Sequence, residues 1–196
     1  MNAPAKNIPE GEVALRFAIH VLSECDLATK AVVSIDGAAA KCVPILKFLT
    51  GEGWKQVRQT GKNDWGGSYM KAGTQIEVHS RPGEGDVIID VGGRRLVAEC
   101  KKGPRTKSGN GQERRLLAEV IGQAAKWDWQ SGDLVFVAVP CTDEFQRVAG
   151  DWLKSDLFRR TDINIALVGE NGSAVCQHRG TSMKLKAFLQ RALTEL

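Results

Sequence analysis

Three residues in the segment GDVIIDVGGRRLVAECKKG, which runs from Gly85 to Gly103, have the types that phosphate-ester chemistry uses: Asp86, Glu99 and Lys101. Two alternating apolar runs flank the Gly92-Gly93 pair, and Gly-Gly suits the positive φ angles of a two-residue hairpin turn. With that turn Val91 faces Arg94, Ile88 faces Val97 and Asp86 faces Glu99, since cross-strand partners keep a constant sum of residue numbers. The period of two puts Lys101 on the face shared by Glu99 and Asp86. Carboxylates directly opposite each other stand about 5 Å apart, and like charges there destabilise a sheet. A divalent cation removes the repulsion. Mg²⁺ takes hard oxygen ligands, uses one or two carboxylates and keeps its other sites for water and phosphate oxygen. A neighbouring lysine can contact a scissile phosphate, or orient or deprotonate the attacking water. Metal and lysine together stabilise charge on the phosphate. The pattern is poor for stability and suited to hydrolysis of a phosphodiester.

Such a hairpin needs a scaffold. Residues 12–24 carry Leu15, Ala18, Ile19 and Leu22 at helical spacing. A short strand or an extended link follows over 30–37. Residues 37–54 predict a second helix with Pro44 inside it, where proline kinks, and 54–59 a strand. Residues 60–73, rich in Gly, Asn and Asp, predict a loop, and 74–80 alternate as a strand. Beyond the hairpin, the polar and basic stretch 101–115 leads into a helix over 113–129. DLVFVAVP, residues 133–140, is apolar throughout, as in a strand buried on both faces. Thr142 can cap a helix over 142–158. Strands at 163–169 and 174–178 precede an amphipathic closing helix over 181–196. This order predicts a mixed α/β domain layered on a central sheet.

The totals set limits on class. A chain of 196 residues fits one domain. The expected division is a lead-in and helix over 1–35 and a single globular unit over 36–196. No apolar run approaches membrane-spanning length, and residues 1–12 lack the apolar core of a signal peptide. The expectation is a cytoplasmic protein without a membrane partner. Five cysteines lie scattered with no CxxC pair, which argues against a zinc site and for reduced thiols. The net charge of +4 permits an anionic partner without demanding one. Its distribution is more telling: Lys101, Lys102, Arg105, Lys107, Arg114 and Arg115 cluster directly after the acidic pair. Beside a phosphate-cleaving centre, the last five read as contacts to a DNA backbone.

The hairpin resembles the active-site hairpin of the PD-(D/E)xK nuclease superfamily, in which an Asp opens one strand and Glu-x-Lys follows on the next. Asp86 matches the first position and Glu99-Cys100-Lys101 the second. The resemblance implies a restriction-endonuclease-like core, a central mixed β-sheet flanked by helices on both faces. It implies that Asp86, Glu99 and the main-chain carbonyl of Cys100 hold Mg²⁺, with Mn²⁺ able to substitute, and that Lys101 is catalytic. Gln123 shares a helical stripe with Leu116, Val120 and Trp127 and should point inward. Many members of the superfamily carry a glutamine there that reaches the site, and QAAKW is similar to the Gln-x-x-x-Tyr motif of the RecB-like branch. Gly85 stands where the superfamily name has Pro. Many members also place a Glu on the first core helix. The inward face of residues 37–51 offers none, which leaves Glu12 as the candidate. The resemblance spans roughly Gly37 to Val168 and is specific in its middle third.

The implied function is a metal-dependent deoxyribonuclease. Its rivals are a junction-resolving or structure-selective nuclease, which would need a homodimer, and a non-cleaving nucleic-acid-binding subunit on the same fold. A partner protein could supply specificity. Each residue also has a plainer role. Asp86 could end the RPGEGD turn, Asp90 could pair with Arg95 at the surface, and Trp127 and Trp129 could be packing residues. Trp65 and Tyr69, in the glycine-rich stretch, are then the candidates for base stacking. The Cys100 thiol should face the core, away from the acids.

Overall fold

The computed structural model describes residues 8–104, 111–178 and 181–194. Along the chain the elements are α1 (Glu10–Glu24), β1 (Ala28–Ser34), α2 (Gly37–Ala40), α3 (Ile45–Gly51), β2 (Lys55–Gln59), β3 (Gly67–Lys71) and β4 (Thr74–His79). Then come β5 (Val87–Val91), β6 (Arg94–Cys100), α4 (Gln112–Ala124), β7 (Leu134–Pro140), α5 (Asp143–Leu153), α6 (Asp156–Arg159), β8 (Ile163–Val168), β9 (Ala174–His178), β10 (Thr181–Lys184) and α7 (Leu185–Thr194). The strands form one mixed ten-stranded sheet in the order β10-β9-β8-β7-β6-β5-β1-β4-β3-β2. β6, β7 and β8 run parallel, joined through α4 and α5, because parallel neighbours need a crossover that a hairpin cannot supply.

The alternation of β7 separates two cores. Leu134, Phe136 and Ala138 face the α1 side, where Val13, Ala14, Phe17, Ala18 and Val21 are buried. The rings of Phe17 and Phe136 lie 5.6 Å apart. Val135, Val137 and Val139 face the other side, against Leu117, Val120 and Ile121 of α4 and Phe145, Val148 and Ala149 of α5. All seven residues of β7 are buried, as its continuous apolar run requires. Helices therefore cover both faces. Among the described residues, no helix is long and apolar enough to cross a membrane.

Several boundaries differ from the sequence-based expectation. The helix expected over 37–54 is two helices, α2 and α3, with Pro44 at the start of the second. Proline lacks the N–H and clashes with the preceding turn. Part of the expected loop 60–73 is β3, whose Tyr69 is fully buried and donates its hydroxyl to the Trp65 carbonyl at 2.7 Å. Tyr69 is thus no stacking residue, and Trp65 packs against the core. The helix expected over 113–129 ends at Ala124, the one over 142–158 divides into α5 and α6, and the closing helix is preceded by β10. Thr142 does cap α5, accepting the Phe145 N–H at 3.0 Å. No boundary falls at residue 35: α1 packs into the main core and β1 lies between β5 and β4 in mid-sheet. The lead-in expected over residues 1–7 lies outside the described residues.

Gly85, just ahead of β5, has φ of +103°, which proline, fixed near −65°, cannot adopt. A Cβ there would stand 2.7 Å from Val97 Cγ1 and 3.1 Å from the Ala98 carbonyl oxygen. Gly85→Ala should therefore destabilise the fold by about 1–3 kcal/mol, read as a lower urea midpoint with unchanged m. An unchanged midpoint would show that the entry to β5 is not constrained in this way.

Candidate active site

The hairpin register is the one the Gly-Gly turn predicts: Val91 lies opposite Arg94, Ile88 opposite Val97 and Val87 opposite Ala98. Asp90 accepts the Gly93 N–H at 3.0 Å and so closes the turn. It does not pair with Arg95, which instead meets Asp133 at 2.7 Å and also binds Glu84. Past Val87 the pairing slips. The Asp86 N–H donates to the Ala98 carbonyl at 2.9 Å, and the Asp86 carbonyl accepts from Ser34 N–H at 2.8 Å. Asp86 therefore does not sit in register across from Glu99, because the left-handed turn at Gly85 redirects the chain. Its Oδ2 instead accepts the Cys100 N–H at 2.8 Å. The two acids still border one cleft of about 420 Å³.

Each neighbour has a definite place. Glu99 is 91% removed from solvent (9% exposed). It lies beside Val137 of β7, on the α4 side, and accepts the indole N–H of Trp127 at 2.7 Å. Lys101 Nζ meets Glu119 Oε1 at 2.8 Å, Glu10 Oε2 at 3.8 Å and, as a donor, Gln123 Oε1 at 3.4 Å. Gln123 thus points where its helical stripe predicts. The Cys100 thiol is buried in the α1-side core, as expected. Its N–H is turned toward Asp86. A strand residue points its N–H and C=O to the same side, so its carbonyl is turned there too.

The acid of α1 that approaches Lys101 is Glu10 and not the expected Glu12. Glu12 is paired with Arg16 at 2.7 Å, about 200° further round the helix. Glu10 begins the stripe that continues through Val13, Ala14, Phe17 and Val21, all buried. That stripe was a usable signal. Gly11 allows the approach: a Cβ there would stand 2.9 Å from Ile35 Cγ2. Trp127, expected to pack inside, is 41% exposed and lies beyond the end of α4. Glu119 is the participant that the sequence pattern did not single out, whereas Trp127 ends the QAAKW segment, at the place of the Tyr in the Gln-x-x-x-Tyr motif. Among the basic residues, Lys102 is half-buried and lines a pocket with Pro9, Glu10 and Asp36. Arg114 stands 3.7 Å from Asp151, and Arg115 is exposed on the first turn of α4. Arg105 and Lys107 lie outside the described residues.

Burial and crowding shape the charges. Burial pushes the Asp86 carboxyl up to about 7; the Cys100 N–H opposes this, and the charges of Glu99 and Glu10 add to it. Burial also raises Glu99, against the Trp127 hydrogen bond and the Lys101 charge. Burial alone would lower Lys101, but the hydrogen bond to Glu119 and the charges of Glu10, Glu119 and Asp86 outweigh it and raise it. Glu119 is lowered, chiefly by its hydrogen bond to Lys101, with Arg115 and Lys102 adding their charge.

Among the described residues, no three acidic, histidine or cysteine side chains already stand close enough to hold an ion by themselves. The groups that could share an ion here are the carboxylates of Asp86 and Glu99 and the carbonyl of Cys100. Their hard oxygen chemistry fits Mg²⁺, which binds through one or two carboxylates and retains waters. No family model matches the chain, and comparisons with curated proteins and with solved structures find no match.

The raised Asp86 has a sign-specific consequence. Its carboxyl is protonated more readily folded than unfolded, so it costs nothing below pH about 4, and the cost grows until pH about 7. In EDTA, Asp86→Asn should match the wild type in stability at pH 4 and exceed it at pH 8. The gain should be at most a few kcal/mol, since the group keeps some solvent contact. Urea unfolding at both pH values checks this; a pH-independent difference would contradict it.

Proposed function

We propose that the chain is a Mg²⁺-dependent deoxyribonuclease built on a restriction-endonuclease-like core of the PD-(D/E)xK type. The observation that carries the reading is the meeting of Lys101 with Gln123, beside Asp86 and Glu99, at the carboxyl end of β6. Ligand sites of open α/β sheets commonly lie outside such strand ends. Held by Asp86, Glu99 and the Cys100 carbonyl, Mg²⁺ would supply a nucleophilic water at neutral pH and offset charge on the phosphate. Mn²⁺ would serve similarly. The protein residues do the positioning. Trp127 fixes one Glu99 oxygen, and the Cys100 N–H fixes one Asp86 oxygen. Lys101, held by Glu119, Glu10 and Gln123, presents a positive charge to the reacting phosphate. Lys102, Arg114 and Arg115 line up with a DNA-backbone role. The assembled acids, lysine and glutamine favour hydrolysis over a binding-only subunit. A junction-selective nuclease working as a homodimer, or with a partner protein, is a narrower form of the same reading.

Cleavage assays with Mg²⁺, Mn²⁺ or EDTA test it. Cutting should require metal, and Glu99→Gln and Lys101→Ala should each lower the rate at least ~100-fold while binding in EDTA persists. Cutting by both variants at the wild-type rate would overturn the assignment. Replacing Lys102 and Arg115 together by Ala should weaken binding across sequences and flatten its log–log salt slope by about 2. An unchanged slope would move the DNA path elsewhere.

A further inference from the structure

Trp127 departs from what its sequence position suggests. It lies past the end of α4, 41% exposed, on the cleft that holds both acids. Two contacts fix its plane. Its indole N–H donates to Glu99 at 2.7 Å, and its ring meets Trp129 at 6.3 Å between centroids. Trp129 is itself anchored, donating to the Ala124 carbonyl at 2.7 Å. A partly exposed aromatic surface is thus anchored one hydrogen bond from the Glu99 carboxylate. Such a face serves a partner better than it serves the core.

The geometry restricts that partner. The cleft of about 420 Å³ is also bordered by Arg81, Pro82 and Gly83, which sets a basic residue on its border. A paired duplex keeps its bases stacked and shows only their groove edges. An aromatic face can take a base only when that base is out of the stack. We propose that Trp127 is a stacking platform for an unpaired base beside the reacting phosphodiester, so that this site takes single-stranded nucleic acid or a strand splayed from a duplex. The inference rests on the nuclease reading above and narrows its substrate. Trp127 then has two roles: its N–H orients Glu99, and its face holds the base, with Arg81 placed to meet a neighbouring phosphate.

Two substitutions separate those roles. Trp127→Phe keeps an aromatic face and removes the N–H; Trp127→Ala removes both. The binding experiment uses the full chain in EDTA and follows tryptophan emission during titration with an oligothymidylate of about 20 nucleotides or with a blunt hairpin duplex. The oligothymidylate should quench the wild type and bind more tightly than the duplex. Trp127→Phe should lose that quenching and keep the affinity, and Trp127→Ala should weaken single-strand binding roughly 5- to 100-fold. With Mg²⁺, both variants should lose kcat, and only Trp127→Ala should raise KM for the single strand. Equal affinity for duplex and single strand, with no effect of Trp127→Ala on either, would overturn the inference. If duplex and single strand are cut alike and KM is unmoved in Trp127→Ala, stacking fails and hydrolysis stands. If nothing is cut with any metal, yet single-strand binding still depends on Trp127, hydrolysis fails and the stacking platform stands.

Discussion

The ammonium of Lys101 is held between the carboxylates of Glu119, at 2.8 Å, and Glu10, at 3.8 Å, with Asp86 and Glu99 near enough to influence it. A buried cation without partners would be costly, and so would buried acids without a cation. Each therefore requires the other. The consequence reaches well beyond the hairpin. Glu10 comes from α1 on one face of the sheet and Glu119 from α4 on the other. Lys101, just past the end of β6, is where the two layers meet electrostatically. The apolar cores on the two faces set the positions of both helices, and the ion pairs at the strand end depend on that setting.

The location of this cluster follows from topology. Antiparallel pairing brings the start of β5 to the end of β6, and parallel pairing sets the end of β7 beside it. Main-chain groups run out of ladder partners at such ends, so side chains and loops complete them. The Asp86 carboxylate does this for the Cys100 N–H. Gly85, in its left-handed conformation, turns the chain sharply enough for that bond to form. A strict continuation of the hairpin would have set Asp86 against Glu99 at a repulsive distance. The slip at Val87 offsets some of that repulsion with a hydrogen bond and leaves both acids on the cleft.

The parts of this arrangement that local rules govern were legible in the sequence. Gly92-Gly93 fixes the turn and hence the register from Val91 to Ala98, and the stripe through Leu116 and Val120 aims Gln123. The parts that depend on distant packing were not. β3 resembles a loop in composition because Gly67 and Ser68 open it, yet its pairing with β2 and β4 buries Tyr69. Trp127 continues a helical stripe on paper, but α4 stops at Ala124 and the indole is free to turn toward Glu99. Glu12 was the acid expected on the first helix, but the buried stripe of α1 carries Glu10 toward Lys101 and leaves Glu12 paired with Arg16. The broad α/β layering was readable because long apolar runs such as β7 allow few alternatives.

The charge balance also orders the events that an anionic ligand would face. Glu10, Asp86, Glu99 and Glu119 surround Lys101, while the charges of Lys102 and Arg115 act on Glu119 from outside. A phosphate approaching four carboxylates is repelled unless positive charge is added or the acids are protonated. Burial has already carried Asp86 to about 7, so near neutrality the cluster sits where either remedy is effective. Protonation quiets the repulsion but gives up the oxygen lone pairs. A divalent cation quiets it and uses them. The cost of crowding these acids is therefore relieved most fully by a divalent cation, and under the nuclease reading proposed above that cation would accelerate the reaction only so far as it offsets charge that grows on the phosphodiester in the transition state.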